Sequence, residues 1–316
     1  MRISTSNFYN NTTTQLNELQ SSISDLSTQV STGKKGITPQ DDPAASVQIL
    51  SLSQVSSADA QFTKNRIALK STIGSASSAL NGMVETLQGV NEQVVYGSTG
   101  SLSNQDRATI ATSLKGQLNQ LVSLANSNDG AGHYLFAGFN VASNPSAVSL
   151  STGSVSINGT PVTYDEYTYQ GTTSTAQIQV DVGRTAGLDV TIQDLFGSDA
   201  NNFMNKLNKA ITVLSNPNQT ATDVTSALND LAGSFKTTFD NVLKAQSKVG
   251  ITQNQLESID TLSVNKGNST AKVLSALQDT DYNKTLSDLA RQQVQLQAAQ
   301  KSFQQISSLS LFNYIN

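Results

Sequence analysis

His133 is the only imidazole in the chain, so any nucleophilic triad would have to be built on it. Such a triad needs a Ser or Thr hydroxyl that gives up its proton to the ring, and a carboxylate that orients the ring. His133 stands in Ala131-Gly132-His133-Tyr134-Leu135-Phe136, and the sequence has neither a G-x-S-x-G nucleophile turn nor an H-E-x-x-H zinc pair. A structural role for this His is the expectation, since partial burial is ordinary for histidine. Gly33-Lys34-Lys35-Gly36 and Gly130-Ala131-Gly132 lack the spacing of a phosphate loop. Asp41 and Asp42 lie between Pro39 and Pro43 with no His or further carboxylate at ligand spacing, so turn and cap chemistry explains them better than a metal does. Tyr164, Tyr167 and Tyr169 cluster beside a hairpin pattern, where aromatic residues more often pack a small sheet than bind sugars. No catalytic, cofactor-binding or metal-ligating residue is assigned, no cofactor is expected, and an enzyme is not.

The composition points the same way. Charged residues make up only 13% of the 316, against roughly 25% in an average soluble protein, and Ser, Thr, Asn and Gln take their places. A net charge of -4 without any basic run argues against a nucleic-acid partner. Cys is absent, which removes disulfides and thiolate chemistry. The first residues turn polar too soon for a signal peptide, and no apolar window reaches membrane-spanning length, so no membrane partner is expected.

The elements are mostly helical. Leu16, Leu19, Ile23, Leu26 and Val30 step by three and four, the spacing of a helix laying a narrow apolar stripe on another helix. Two heptads are marginal alone. The matching stripe is Tyr282, Leu286, Leu289, Gln293, Leu296, Gln300 and Phe303 at the far end of the chain. Two Gly and two Pro between Gly33 and Pro43 break the first helix, and Asp42-Pro43 restarts a second. That helix runs to about Val95 through Ile73, Ala76, Leu80, Met83, Leu87, Val90 and Val94, long enough to span ~75 Å at 1.5 Å per residue. Ser103 caps a third carrying Ile110, Leu114, Leu118, Leu121 and Leu124. From Val148 the period becomes two: Val155 and Ile157, a turn at Asn158-Gly159, then Val162 and Tyr164. Ile178, Val180 and Val182 form another strand, and Val190 with Ile192 a further one. Helices return at Phe203–Leu214, from Thr222 towards Leu277, and from Tyr282 onward.

The expected fold is mainly α: an elongated antiparallel long-helix bundle or coiled coil formed by both chain ends, with a small inserted β-rich domain. The expected domains are 1–40 with 280–316, 41–140 with 197–279, and 141–196. The terminal stripes are diluted by Gln and short, so they would gain stability by docking on neighbouring subunits. The expected assembly interface is Leu16, Leu19, Ile23, Leu26, Val30, Leu286, Leu289, Leu296, Phe303, Ile306, Leu311 and Phe312.

Several segments resemble the bacterial flagellins and their relatives. They are the opening Met1-Arg2-Ile3-Ser4-Thr5, Leu26-Ser27-Thr28-Gln29-Val30-Ser31-Thr32-Gly33 leading into Asp41-Asp42-Pro43-Ala44-Ala45-Ser46, and Asp279-Thr280-Asp281-Tyr282. Ser127–Gly138 and the closing Ser310-Leu311-Phe312-Asn313-Tyr314 look most like the hook-associated branch of that superfamily. The resemblance covers both helical arms. It implies a structural part of the flagellum, exported unfolded through the type III apparatus and assembled as a ring between hook and filament. The implied partners are hook-associated protein 1, flagellin, further copies of the same chain, and an export chaperone at the C-terminal segment. The alternatives are a minor flagellin that forms filament itself, and an enzyme or adhesin displayed through the β domain.

Overall fold

The computed structural model describes residues 2–36, 38–40, 42–99, 102–139, 148–157, 160–197 and 201–315, with side chains for all of these except 2–5, 8, 152–157, 160–163 and 307–315. Its elements in order are α1 (Arg2–Thr32), α2 (Pro43–Gly97), α3 (Asn104–Ala125), β1 (Val148–Ile157), β2 (Thr160–Tyr169), β3 (Ile178–Asp181), β4 (Arg184–Ala186), α4 (Ile192–Phe196), α5 (Phe203–Ser215), α6 (Ala221–Gln278) and α7 (Tyr282–Ile315). The fold is mainly α with a small β region. Two compact units divide the chain: Met1–Ala58 with Asn265–Asn316, and Asp59–Val264.

The unit Asp59–Val264 holds the large core. The heptad stripe of α2, from Ile73 through Ala76, Leu80, Met83, Leu87 and Val90 to Val94, is buried, as are Ile110, Leu114, Leu118 and Leu121 of α3. On α6, Val224, Leu228, Leu231, Val242, Ala245, Val249, Leu256 and Ile259 complete the same cluster. Ser103 caps α3 in a reciprocal box with Asp106, the arrangement that satisfies two otherwise open N–H groups at a helix start.

β1 and β2 form an antiparallel ribbon in register from Val148 opposite Tyr169 to Ile157 opposite Thr160. The turn expected at Asn158-Gly159 lies outside the described residues. Amide side chains hold the base of the ribbon. Asn205 Oδ1 accepts from the Tyr167 N–H at 2.7 Å, while Asn205 Nδ2 and Asn202 Nδ2 both donate to the Tyr167 carbonyl. Asn126 holds both backbone groups of Val148.

One expected strand is absent. Val190 and Ile192 alternate, yet Ile192 opens α4, because Thr191 and Asp194 make a capping box: the Thr191 hydroxyl accepts from the Asp194 N–H and the Asp194 carboxylate accepts from the Thr191 N–H. The T-x-x-D signature, with both partners already satisfied in a helical start, prevails over a two-residue alternation.

The β3–β4 ribbon is fastened by a buried cation. Arg66 of α2 is only 1% exposed. Its guanidinium pairs with the Asp260 carboxylate of α6, donates to the Val180 carbonyl of β3 at 2.8 Å, and reaches the hydroxyls of Thr63 and Ser263 at 2.8 Å each. Lys70 holds the other oxygen of Asp260, and the Ser263 hydroxyl lies 2.8–2.9 Å from both oxygens of Asp59. Burial raises the pKa of Asp260, but the hydrogen bonds and charges of Lys70 and Arg66 outweigh it and hold the carboxyl below its ordinary value.

The unit formed by Met1–Ala58 and Asn265–Asn316 is built differently. In it α1 packs on α7, joining the two ends of the chain. Among the described side chains of these two helices only Thr285 is buried.

Candidate assembly interface

The α1–α7 pair starts from a joint where two helices break at one level. Beyond α1, Lys34 faces Asp279 in an isolated antiparallel bridge. The Lys35 N–H donates to the Gln278 carbonyl at 2.7 Å, and the Thr280 N–H donates to the Gly33 carbonyl at 3.0 Å. Gly33 has φ +71°, and a Cβ there would come within 2.8 Å of the Tyr282 hydroxyl oxygen, so the phenol lies on the glycine. Asp281 then starts α7 by accepting from the N–H groups of Asn283 and Lys284. On the other side of the break, Asp42 Oδ1 accepts from the Ala45 N–H at 2.9 Å and starts α2.

Along α1 the less exposed stripe is Thr12, Leu16, Leu19, Ile23, Leu26 and Val30, each half-buried. Along α7 it is Thr285, Leu289, Gln292, Leu296, Ala299 and Phe303. Near the far end Tyr9 and Phe303 meet edge-to-face with ring centroids 5.3 Å apart. Leu16, Leu19, Ile23, Leu26, Val30, Leu289, Leu296 and Phe303 of the expected interface thus lie on the two half-buried stripes. Leu286 and Ile306 do not: they are 49% and 44% exposed. Leu311 and Phe312 lie in α7, but their side chains are outside the described residues. Tyr282, Gln293 and Gln300, expected in the seam, are exposed as well. Thr285, Gln292 and Ala299, one position before Leu286, Gln293 and Gln300, take the inward layer instead. Only Leu289, Leu296 and Phe303 give α7 an unambiguous apolar face. The expected layer contains one large apolar residue, Leu286, and the layer taken contains none, so the apolar stripe does not select it; at the joint the Thr280 and Thr285 hydroxyls lie 2.8 Å apart, with Thr285 buried.

His133 is 50% exposed, and its Nδ1 lies 3.3 Å from Asp129 Oδ2. Asp129 is already engaged, accepting from the N–H groups of Ala131 and His133 at 2.9 Å each. Burial raises its pKa, but these bonds together with the ring outweigh it and leave it below the ordinary value. The dyad closes a turn beside a cavity of about 190 Å³ lined by Leu69, Thr72, Tyr134, Leu135 and Ile178 among others. Among the described residues no three His, Asp or Glu side chains gather as metal ligands, and no helix is long and apolar enough to cross a membrane.

The family model for the bacterial flagellin N-terminal helical region matches residues 3–141. Over 332 residues the chain is 30% identical to the flagellar hook-associated protein 3 of Escherichia coli (strain K12), covering 99% of both chains. It is 30% identical over 329 residues to the protein of the same name from Salmonella typhimurium (strain LT2), again covering 99% of each. The crystal structure of flagellar hook-associated protein 3 from Legionella pneumophila shares the fold, with TM-score 0.61 at 17% identity over 72% of this chain and 98% of that one. Fold and comparisons together define a flagellin-like structural protein. The chain belongs to the family of flagellar hook-associated protein 3. It is a structural component of the bacterial flagellum.

Proposed function

We propose that the chain fills the junction of hook and filament as a ring of its own copies, in which the α1–α7 pair of each copy packs against its neighbours through Leu16, Leu19, Ile23, Leu26, Val30, Leu286, Leu289, Leu296, Phe303, Ile306, Leu311 and Phe312. The observation that carries this is the exposure of the pair: its apolar stripes are half-covered, while Leu286, Val294 and Ile306 stay in solvent. Each such side chain would gain about 25 cal/mol for every Å² of apolar surface covered by a neighbour. By the same reading hook-associated protein 1 lies on one side of the ring and flagellin on the other, and an export chaperone holds the C-terminal segment beforehand. Residues 1–40 with 280–316 serve as the joining domain, 41–140 with 197–279 as the rod, and 141–196 as the β-rich domain. The role is purely mechanical, without catalysis. The His133–Asp129 pair is accounted for by the turn it closes, in which Asp129 Oδ1 accepts from the Ala131 and His133 N–H groups.

The test substitutes Leu289→Asp or Phe303→Asp in cells whose own copy is removed. Filaments and swimming are expected to be lost while the secreted chain keeps the thermal transition of Asp59–Val264. Normal filaments with either variant would overturn the reading.

A further inference from the structure

We propose that the outer edge of β1, from Leu150 to Ser156, takes up an extended, uncharged segment of another flagellar protein as a third strand of the ribbon.

The hydrogen bonds at the base of the ribbon fix which way each backbone group points. Both backbone groups of Val148 go to Asn126, and both of Tyr167 go to Asn202 and Asn205, so neither residue bonds across the ribbon. Bonded and unbonded positions alternate along an antiparallel pair. Followed through the register, Leu150, Thr152, Ser154 and Ser156 of β1 turn their backbone groups outward, as do Asp165, Thr163 and Pro161 of β2. The two edges are not alike. On β2 the Asp165 carbonyl accepts from Asn208 Nδ2 at 2.6 Å, Pro161 has no N–H to offer, and Asp165 and Glu166 carry charge. Covering, Pro and charge are what keep an edge from pairing with another strand. β1 has only Asn126, at Val148. The strand from Val148 to Ile157 contains no charged residue and no Pro, and among the described residues nothing bonds to the outward groups from Leu150 onward.

Donors and acceptors repeating in line at every second residue match the backbone of another strand. Such a strand would lie about 4.8 Å beyond β1, its alternate side chains on the same face as Leu150. Leu150 is 61% exposed and lines a cavity of about 480 Å³ with Leu118, Asn119, Tyr164 and Ile211 among others. Apolar residues at alternate positions of the guest would gain cover there. Its remaining residues must be uncharged, because β1 offers no counter-charge. A second copy of this chain does not fit in the proposed ring. Its own β2 edge is covered, and β1 against β1 relates two copies by a two-fold axis, which a head-to-tail ring lacks. That exclusion rests on the proposed ring; the open edge does not.

Overlapping synthetic peptides tiling flagellin and hook-associated protein 1, together with this chain's own residues 148–157, are titrated onto the isolated full-length chain and read by fluorescence anisotropy. An uncharged peptide from one of the two proteins is expected to bind. Thr152→Pro and Ser154→Pro each delete an outward N–H that β2 does not use, which an edge strand tolerates, and each should weaken binding by about tenfold or more. Thr152→Ser keeps every backbone group and should bind as the parent does. In the free chain the N–H groups of Leu150 and Thr152 are expected to exchange faster than those of Ser151 and Gly153, and saturating peptide should slow them. No binding by any tiled peptide, binding by the 148–157 peptide alone, affinity indifferent to both prolines, or unchanged exchange at Leu150 and Thr152 would each overturn the proposal. Since the titration needs no ring, peptide binding together with normal filaments in Leu289→Asp cells would uphold the open edge and reject the proposed α1–α7 interface.

Discussion

Removing the Asp260 carboxylate leaves Arg66 with its charge and without its counterion. Arg66 is 1% exposed, so in Asp260→Ala the guanidinium stays in the core, held by the Val180 carbonyl and the Thr63 and Ser263 hydroxyls. Breaking a fully buried ion pair from one side costs about 3–5 kcal/mol. Asp260 itself is 32% exposed, and water can screen the site it vacates, which lowers the expectation to about 2–3 kcal/mol. For a unit of this size each kcal/mol lowers Tm by roughly 2–4 °C, so the fall should be about 4–12 °C. The assay is thermal unfolding of the purified monomer by circular dichroism. Arg66→Met with Asp260→Ala removes both charges, and replacing buried ions with apolar groups is often close to neutral. The double variant should therefore be more stable than Asp260→Ala alone. A loss under about 1 kcal/mol for Asp260→Ala, or strictly additive losses in the double, would refute the claim that the pair matters because Arg66 is buried.

Acidification tests the same site. The folded pKa of Asp260 is depressed, so its stabilisation is present above the ordinary carboxylate range and is lost as pH falls through the folded value. Melting curves should weaken below about pH 4, and Asp260→Asn should remove that part of the slope. Asn205→Ala leaves the Tyr167 N–H without its 2.7 Å partner in a buried place and should cost about 1–3 kcal/mol, with faster amide exchange at Tyr167; protection equal to the parent would contradict it. Gly138→Ala should fold poorly, because Gly138 has φ +72° and a Cβ would lie 2.1 Å from the Thr172 carbonyl oxygen. A loss of about 2 kcal/mol or more in denaturant titration is expected.

Most of the helical frame was legible because its signals are local and redundant. The α2 stripe from Ile73 to Val94 repeats for three heptads, and Ser103 and Asp42-Pro43 mark their helix starts by side-chain chemistry that needs no distant partner. Two misplacements have clear physical causes. At Val190–Ile192 two alternating residues outweighed a Thr191–Asp194 cap that was equally visible. On α7 the apolar count favoured the layer of Leu286, while Thr285 is the residue turned inward, beside Thr280, whose N–H bonds to Gly33 far away in the sequence, a contact no local pattern links. Arg66 was illegible for a related reason. A single cation in a long helix looks like a solvated face until Asp260, nearly two hundred residues away, arrives beside it.

The most direct test of the account is where the protein sits on intact flagella. Gold-conjugated antibody against the chain, viewed by electron microscopy on detached flagella, should mark one narrow band where hook meets filament. Label running along the filament would contradict a junction role and favour a minor flagellin.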